Sequence, residues 1–193
     1  MTLASAIRDA DPAIPLEFAK KKKMTAEEWY RKFYETYKAY SKNHQKQVKS
    51  ALTSDRKWSS LMEDVLLTMA KALSYKHSGT LRGAPGIDIH WKKTGSTIAI
   101  EHENRSVNIH IEIANLCQDN SDLKVLITYA ADEDFLPNAL RIANLCAREL
   151  TTSSFGKGEF LLVLGGTEYD WEGFSFRFRA EPVPLKVGGI RVV

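Results

Sequence analysis

A chain of 193 residues with 44% hydrophobic and 26% charged side chains is long enough for one full core and has the balance of a soluble globular protein. Twenty-seven basic against 24 acidic residues leave a net charge of +3, which suits a nucleic-acid partner without requiring one. No run is apolar and long enough to span a bilayer, no secretory leader opens the chain, and Cys117 and Cys146 stand far apart without a CxxC partner. A membrane protein, a disulfide framework and a cysteine zinc site are therefore not expected, and the compartment is read as cytoplasmic.

In chain order, residues 1–23 are broken at Asp11-Pro12 and Ile14-Pro15 and end in Lys20-Lys21-Lys22-Lys23, which reads as a solvated connector. Thr25-Ala26-Glu27-Glu28 has the form of a capping box and predicts a helix running to about Ala51. Trp29, Phe33, Tyr37 and Tyr40 recur at helical spacing, the pattern of a packing face rather than a base-stacking platform. Lys32, Lys38, Lys42, Lys46 and Lys49 take much of the remaining surface. Their plain role is solubility; their sharper one is tracking phosphates. A second helix is predicted over 56–75, with Trp58, Leu61, Met62, Val65, Leu66 and Met69 at i, i+3, i+4 and Glu63 beside that stripe. A turn-rich segment follows, with a short strand placed around Leu81.

Gly86 to Arg105 then carries two alternating runs about a turn at Lys93-Thr94-Gly95-Ser96, the signal of a hairpin. Alternation puts Ile87, Ile89 and Trp91 on one face and Asp88, His90 and Lys92 on the other. In the second run Ile98, Ile100 and His102 share a face, and Glu101 and Glu103 share the opposite one. Asp88 can join Glu101 and Glu103 across the hairpin. Gathered carboxylates repel and lose solvation, so they call for a counter-charge, and Mg²⁺ is the hard cation that takes one or two carboxylates plus substrate phosphate. The same pattern also fits the wet outer face of an antiparallel hairpin. Residues 106–118 carry both strand and helix periodicity. Leu123–Ala130 and Glu159–Leu164 read as buried strands separated by an amphipathic helix over 138–150, and 174–179 as a strand with one wet face. Strand–helix–strand order in this half predicts parallel pairing.

GIDI at 86–89 followed by IAIEHEN at 98–104 resembles the PD-(D/E)XK nuclease superfamily, of restriction-endonuclease-like fold, over roughly residues 58–164. The resemblance implies helix for 106–118. It matches Asp88 to the first metal-binding acid and Glu101 to the second. Glu103 stands where the family usually has lysine, and some restriction enzymes carry Glu there. Glu63 matches the glutamate on the helix before the sheet, as an outer ligand or water positioner. Lys92, on the face of Asp88, is one source of the positive charge absent at Glu103. Asn104 and Arg105 follow the acids, within reach of phosphate.

The expected architecture is an α/β restriction-endonuclease-like mixed sheet flanked by helices over 56–193, with a basic helical extension over 1–55. The expected function is Mg²⁺-dependent hydrolysis of phosphodiester bonds in nucleic acid, DNA in preference to RNA, with Mn²⁺ as a substitute cation. Asp88, Glu101 and Glu103 are the catalytic candidates; Asp88, Glu101 and Glu63 the metal candidates; Lys38, Lys42, Lys46 and Arg105 the nucleic-acid contacts. The alternative is a catalytically inactive nuclease-like module that binds nucleic acid or protein. No membrane partner is expected, and the oligomeric state is left open, a homodimer included.

Overall fold

The computed structural model of this chain describes residues 23–81, 86–104, 109–130, 135–152, 157–166, 171–176 and 183–184. Lys20 to Lys22 and Arg105 lie outside them. The architecture is α/β: N-terminal helices, then a mixed sheet with helices packed on it. The order is α1 (Ala26–Asn43), α2 (Gln45–Ala51), α3 (Asp55–Ala72), β1 (Lys76–Gly79), β2 (Ile89–Lys93), β3 (Ser96–His102), α4 (Ile109–Gln118), β4 (Leu123–Tyr129), α5 (Phe135–Thr152), β5 (Glu159–Gly165) and β6 (Trp171–Phe176). These six strands lie side by side in chain order, and a two-residue β7 (Val183–Pro184) adds to the far edge. The two central pairings, β3–β4 and β4–β5, are parallel, and the outer ones antiparallel. Parallel neighbours need a crossover, which α4 and α5 supply on one face of the sheet.

The other face is covered by α1, α2 and α3. Thr25 caps α1 as its sequence predicts, taking the Glu28 N–H at 3.2 Å while Glu28 takes the Thr25 N–H at 3.3 Å. The aromatic stripe is a packing face: Trp29 stacks on Phe33 at 5.4 Å, and Phe33 and Tyr37 meet Trp171 edge-on at 4.9 and 5.0 Å. Tyr30 donates its hydroxyl to the Trp171 carbonyl at 2.7 Å. One apolar cluster joins these rings to Val65, Leu66, Trp91, Ile98, Val125 and Leu161, so α1 shares the core of the sheet. Ala26 N–H donates to Glu159 at the start of β5, and Tyr37 meets Trp171 opposite the end of β5, so α1 runs alongside that strand in the same direction.

The long first helix expected to Ala51 is broken at His44. The His44 ring stacks on Tyr40 at 4.1 Å and its Nδ1 sits 2.9 Å from the Tyr40 carbonyl, which also takes the His44 N–H at 3.0 Å. The ladder ends because the His44 backbone leaves the helical region, at φ −128 and ψ 36, and α2 departs to bury Val48 and Ala51. The strand placed around Leu81 is instead β1, five residues earlier at its start, and Leu81 is buried just beyond it. The last expected strand begins at Trp171 rather than Phe174 and has no wet face: Trp171 joins one core, and Phe174 and Phe176 the other. Among the described residues no helix is long and apolar enough to cross a membrane.

Candidate metal centre

The β2–β3 hairpin turns at Thr94-Gly95, where Gly95 takes φ +80. Pairing of Ile89 with Ile100 fixes the register and brings Asp88 beside Glu101 at the carboxyl end of β3. Each carboxylate is then held by backbone. Asp88 N–H donates to Glu101 Oε2 at 3.1 Å, and His102 N–H donates to Asp88 Oδ2 at 3.0 Å. Gly79 sits against this corner: a Cβ there would stand 2.0 Å from the Asp88 carbonyl oxygen, so only glycine lets β1 lie so close.

The acids do not sit on a wet face. The helical covering that carries α4 encloses them, and Glu101 is only 2% exposed. Its Oε1 is buried with no hydrogen-bond partner. Burial, then the Asp88 charge and that of Glu112 on α4, push the Glu101 carboxyl up to about 9, against the pull of the Asp88 N–H. Burial pushes Asp88 up to about 6, opposed by the His102 N–H and by Glu101, and reinforced by Glu112 and Glu103. The two titrate as one strongly interacting pair, which holds a proton well above the ordinary carboxylate range. Among the described residues none of the charged groups that act on the pair is cationic, and a divalent cation would supply the counter-charge.

The expected residues divide. Asp88 and Glu101 come together. Glu103 is half-buried one alternation further on; its N–H continues the pairing to the Ile127 carbonyl at 2.9 Å, and its charge acts on Asp88. Glu63 is not brought to this pair: it belongs to α3 on the opposite face, where it accepts the Thr80 hydroxyl at 3.1 Å and acts on His77. The helix stripe that buries α3 against that face turns Glu63 to the β1 edge. Lys38, Lys42 and Lys46 are exposed on α1 and α2. They too lie across the sheet from the acids, toward the end of α1 that meets the carboxyl ends of the strands. Lys92 is exposed four residues from Asp88, about 13 Å along the strand, and does not fill the place of the absent lysine.

Two further residues belong to the neighbourhood. Glu112 follows Ile109 by three and precedes Ile113, so it flanks the buried stripe of α4, and as the one acid in that helix it is visible in the sequence. Lys124 stands inside the apolar run of β4, fully buried beside Ala99. Its ammonium donates to the Ser121 carbonyl at 3.0 Å and the Lys157 carbonyl at 2.5 Å, toward the amino end of the strand and away from the acids. His90 is likewise committed elsewhere, with Nε2 2.9 Å from Asp119.

Among the described residues no three of His, Cys, Asp and Glu are grouped to hold a metal ion. Two carboxylates remain, which is the number Mg²⁺ takes from protein when substrate phosphate and water complete its shell. The buried, unpartnered Glu101 Oε1 beside Asp88 fits that donor set. No protein-family model matches the chain, and none of the curated proteins matches it. Fold and site together define an α/β protein with paired buried acids at the carboxyl end of a central strand.

Proposed function

We propose that the protein is a Mg²⁺-dependent nuclease of restriction-endonuclease-like fold, with Mn²⁺ as substitute, that hydrolyses phosphodiester bonds in nucleic acid, DNA in preference to RNA. The observation that carries this reading is the Asp88–Glu101 pair, with a buried carboxylate oxygen that nothing satisfies. Asp88 and Glu101 hold the cation, which when bound activates water and offsets charge on the scissile phosphate. Glu103, next along the same face, orients the attacking water. The carboxyl ends of the strands are where open α/β sheets gather their ligands.

The test is incubation of linear, circular and single-stranded DNA and of RNA with the full chain in Mg²⁺, Mn²⁺ or EDTA. Products form only with cation, and millimolar Mn²⁺ raises the melting temperature; a hundred-fold excess over Kd is worth about 2.7 kcal/mol. No cleavage together with no thermal shift overturns the reading. One observation favours the inactive module instead: the lysine expected at position 103 is absent, and the buried Lys124 points the other way. Binding without cleavage would decide for it.

An acidic site repels a polyanion, so nearby positive charge must hold the strand. Lys38, Lys42 and Lys46 are exposed on the helical face across the sheet from the acids, and in the proposed complex the bound strand crosses the rim to reach them. Changing all three to Gln weakens binding to every sequence alike and flattens the plot of log affinity against log salt by up to about 0.9 per lost phosphate contact. An unchanged slope in a salt titration would assign these lysines to solubility.

A further inference from the structure

At the carboxyl ends of β4 and β5, on the face covered by α1 to α3, lies a cavity of about 150 Å³ lined by Leu52, Ser54, Trp58, Asn104, Tyr129 and Gly166, among others. Trp58 and Tyr129 meet there edge to face, with centroids 5.8 Å apart. Tyr129 is fixed by His102, whose Nε2 stands 2.6 Å from its hydroxyl. Asn104 is fixed by donating its amide to Ser59 Oγ at 2.9 Å. Ser54 holds the N-cap position of α3 but makes no side-chain cap bond, so its hydroxyl faces no helix amide. Leu52 at the lip is 48% exposed, unusual for a large apolar side chain in the described residues. The surrounding α2–α3 corner carries Lys46, Lys49, Arg56 and Lys57, all exposed.

Size and chemistry narrow the occupant. Pockets for drug-sized molecules run from about 300 Å³ upward, so this one admits a single flat ring system. Its walls offer aromatic surface, an amide, a hydroxyl and the Asp55 carboxylate, and four basic side chains surround it. That combination suits a base that stacks and hydrogen-bonds by its edge while its phosphates lie outside. Asn104 lies two residues beyond the end of β3 and three after Glu101, so cavity and acids lie at the same end of the sheet, one on each face.

We propose that this cavity receives the base of one unpaired nucleotide in the strand whose backbone reaches Asp88 and Glu101. The proposal takes its ligand class from the nuclease reading, and adds that a single-stranded or locally opened substrate is preferred. The test uses the full chain carrying Asp88→Asn, in Mg²⁺, with a single-stranded DNA oligonucleotide in which 2-aminopurine is walked from position to position. Fluorescence changes sharply at one position and not at its neighbours. Trp58→Leu removes that change and weakens binding about ten-fold, as expected for one lost stacking contact, while Trp58→Phe keeps it. Leu52→Glu, at an exposed site that carries no folding burden, also removes it. A response equal at all positions, or one that survives in both Trp58→Leu and Leu52→Glu, overturns the proposal. Failure of the nuclease reading looks different: a positional response with no cleavage by the unsubstituted chain in any cation supports the cavity and sinks the nuclease. Cleavage without any positional response does the reverse.

Discussion

Glu101→Gln and Asp88→Asn each lower Mg²⁺-dependent cleavage by about a thousand-fold or more while leaving the fold intact. A thousand-fold corresponds to about 4 kcal/mol of barrier, within the several kcal/mol that charge stabilisation by a bound cation supplies. Either change removes half of a two-carboxylate donor set, and the pair has no third described acid grouped with it to compensate. Neither removes packing, because both replacements keep the shape of the side chain. Near neutral pH the pair already holds a proton, so Glu101→Gln puts a neutral group where a neutral group stands, and the cation-free variant melts no lower than the unsubstituted chain. Two measurements check this: initial cleavage rates, and melting curves with and without Mn²⁺. A Glu101→Gln protein that still cleaves at the original rate would remove Glu101 from the site.

The cation-free protein loses stability as the pH rises from about 5 to about 9. The sign follows from which state holds the proton. The folded chain raises Glu101 to about 9 from an ordinary value near 4.5, and Asp88 to about 6 from near 3.8. Between those limits the folded state binds more protons than the unfolded one, so stability declines with pH. Below the ordinary values both states are protonated and nothing is lost. Each pKa unit is worth about 1.4 kcal/mol in the ideal limit, so even a fraction of the two shifts is a measurable loss across the window. Urea unfolding in EDTA at pH 5, 7 and 9 measures it. Glu101→Gln flattens most of the decline, and saturating Mg²⁺ offsets it at the alkaline end, where both carboxylates are free to bind. Parallel pH curves for the variant and the unsubstituted chain would show that Glu101 titrates normally.

The hairpin was legible in the sequence because its information is local. A glycine turn, β-branched alternation and period two placed Ile89, Trp91, Ile98 and Ile100 on one face and Asp88 and Glu101 on the other, as the sheet has them. The capping box and the aromatic stripe of α1 were legible for the same reason. What covers the acids was not. Alternation cannot separate a wet face from one roofed by a helix, and only the α4 crossover decides that Glu101 is buried. The break at His44 lies in the backbone of one residue, at φ −128 and ψ 36, which helical periodicity does not register. Glu63 was misplaced because helical phase says how a residue flanks its stripe, not which face of the sheet the helix will cover. The Trp58–Tyr129 cavity draws on the α2–α3 corner, the exit of β3 and the ends of β4 and β5, so no sequence window contains it.

The bond from Tyr30 to the Trp171 carbonyl spans 141 residues. During synthesis α1 leaves the ribosome well before β6, the strand that part of its aromatic stripe packs on. At about 5–20 residues per second that gap lasts on the order of ten seconds. Through that time Phe33 and Tyr37 have no β6 to cover them. Every sheet pairing, by contrast, joins a strand to its neighbour in the chain and can close as soon as that neighbour emerges. The helix is thus made long before the strand that completes its cover, and its apolar stripe waits on a partner far along the chain.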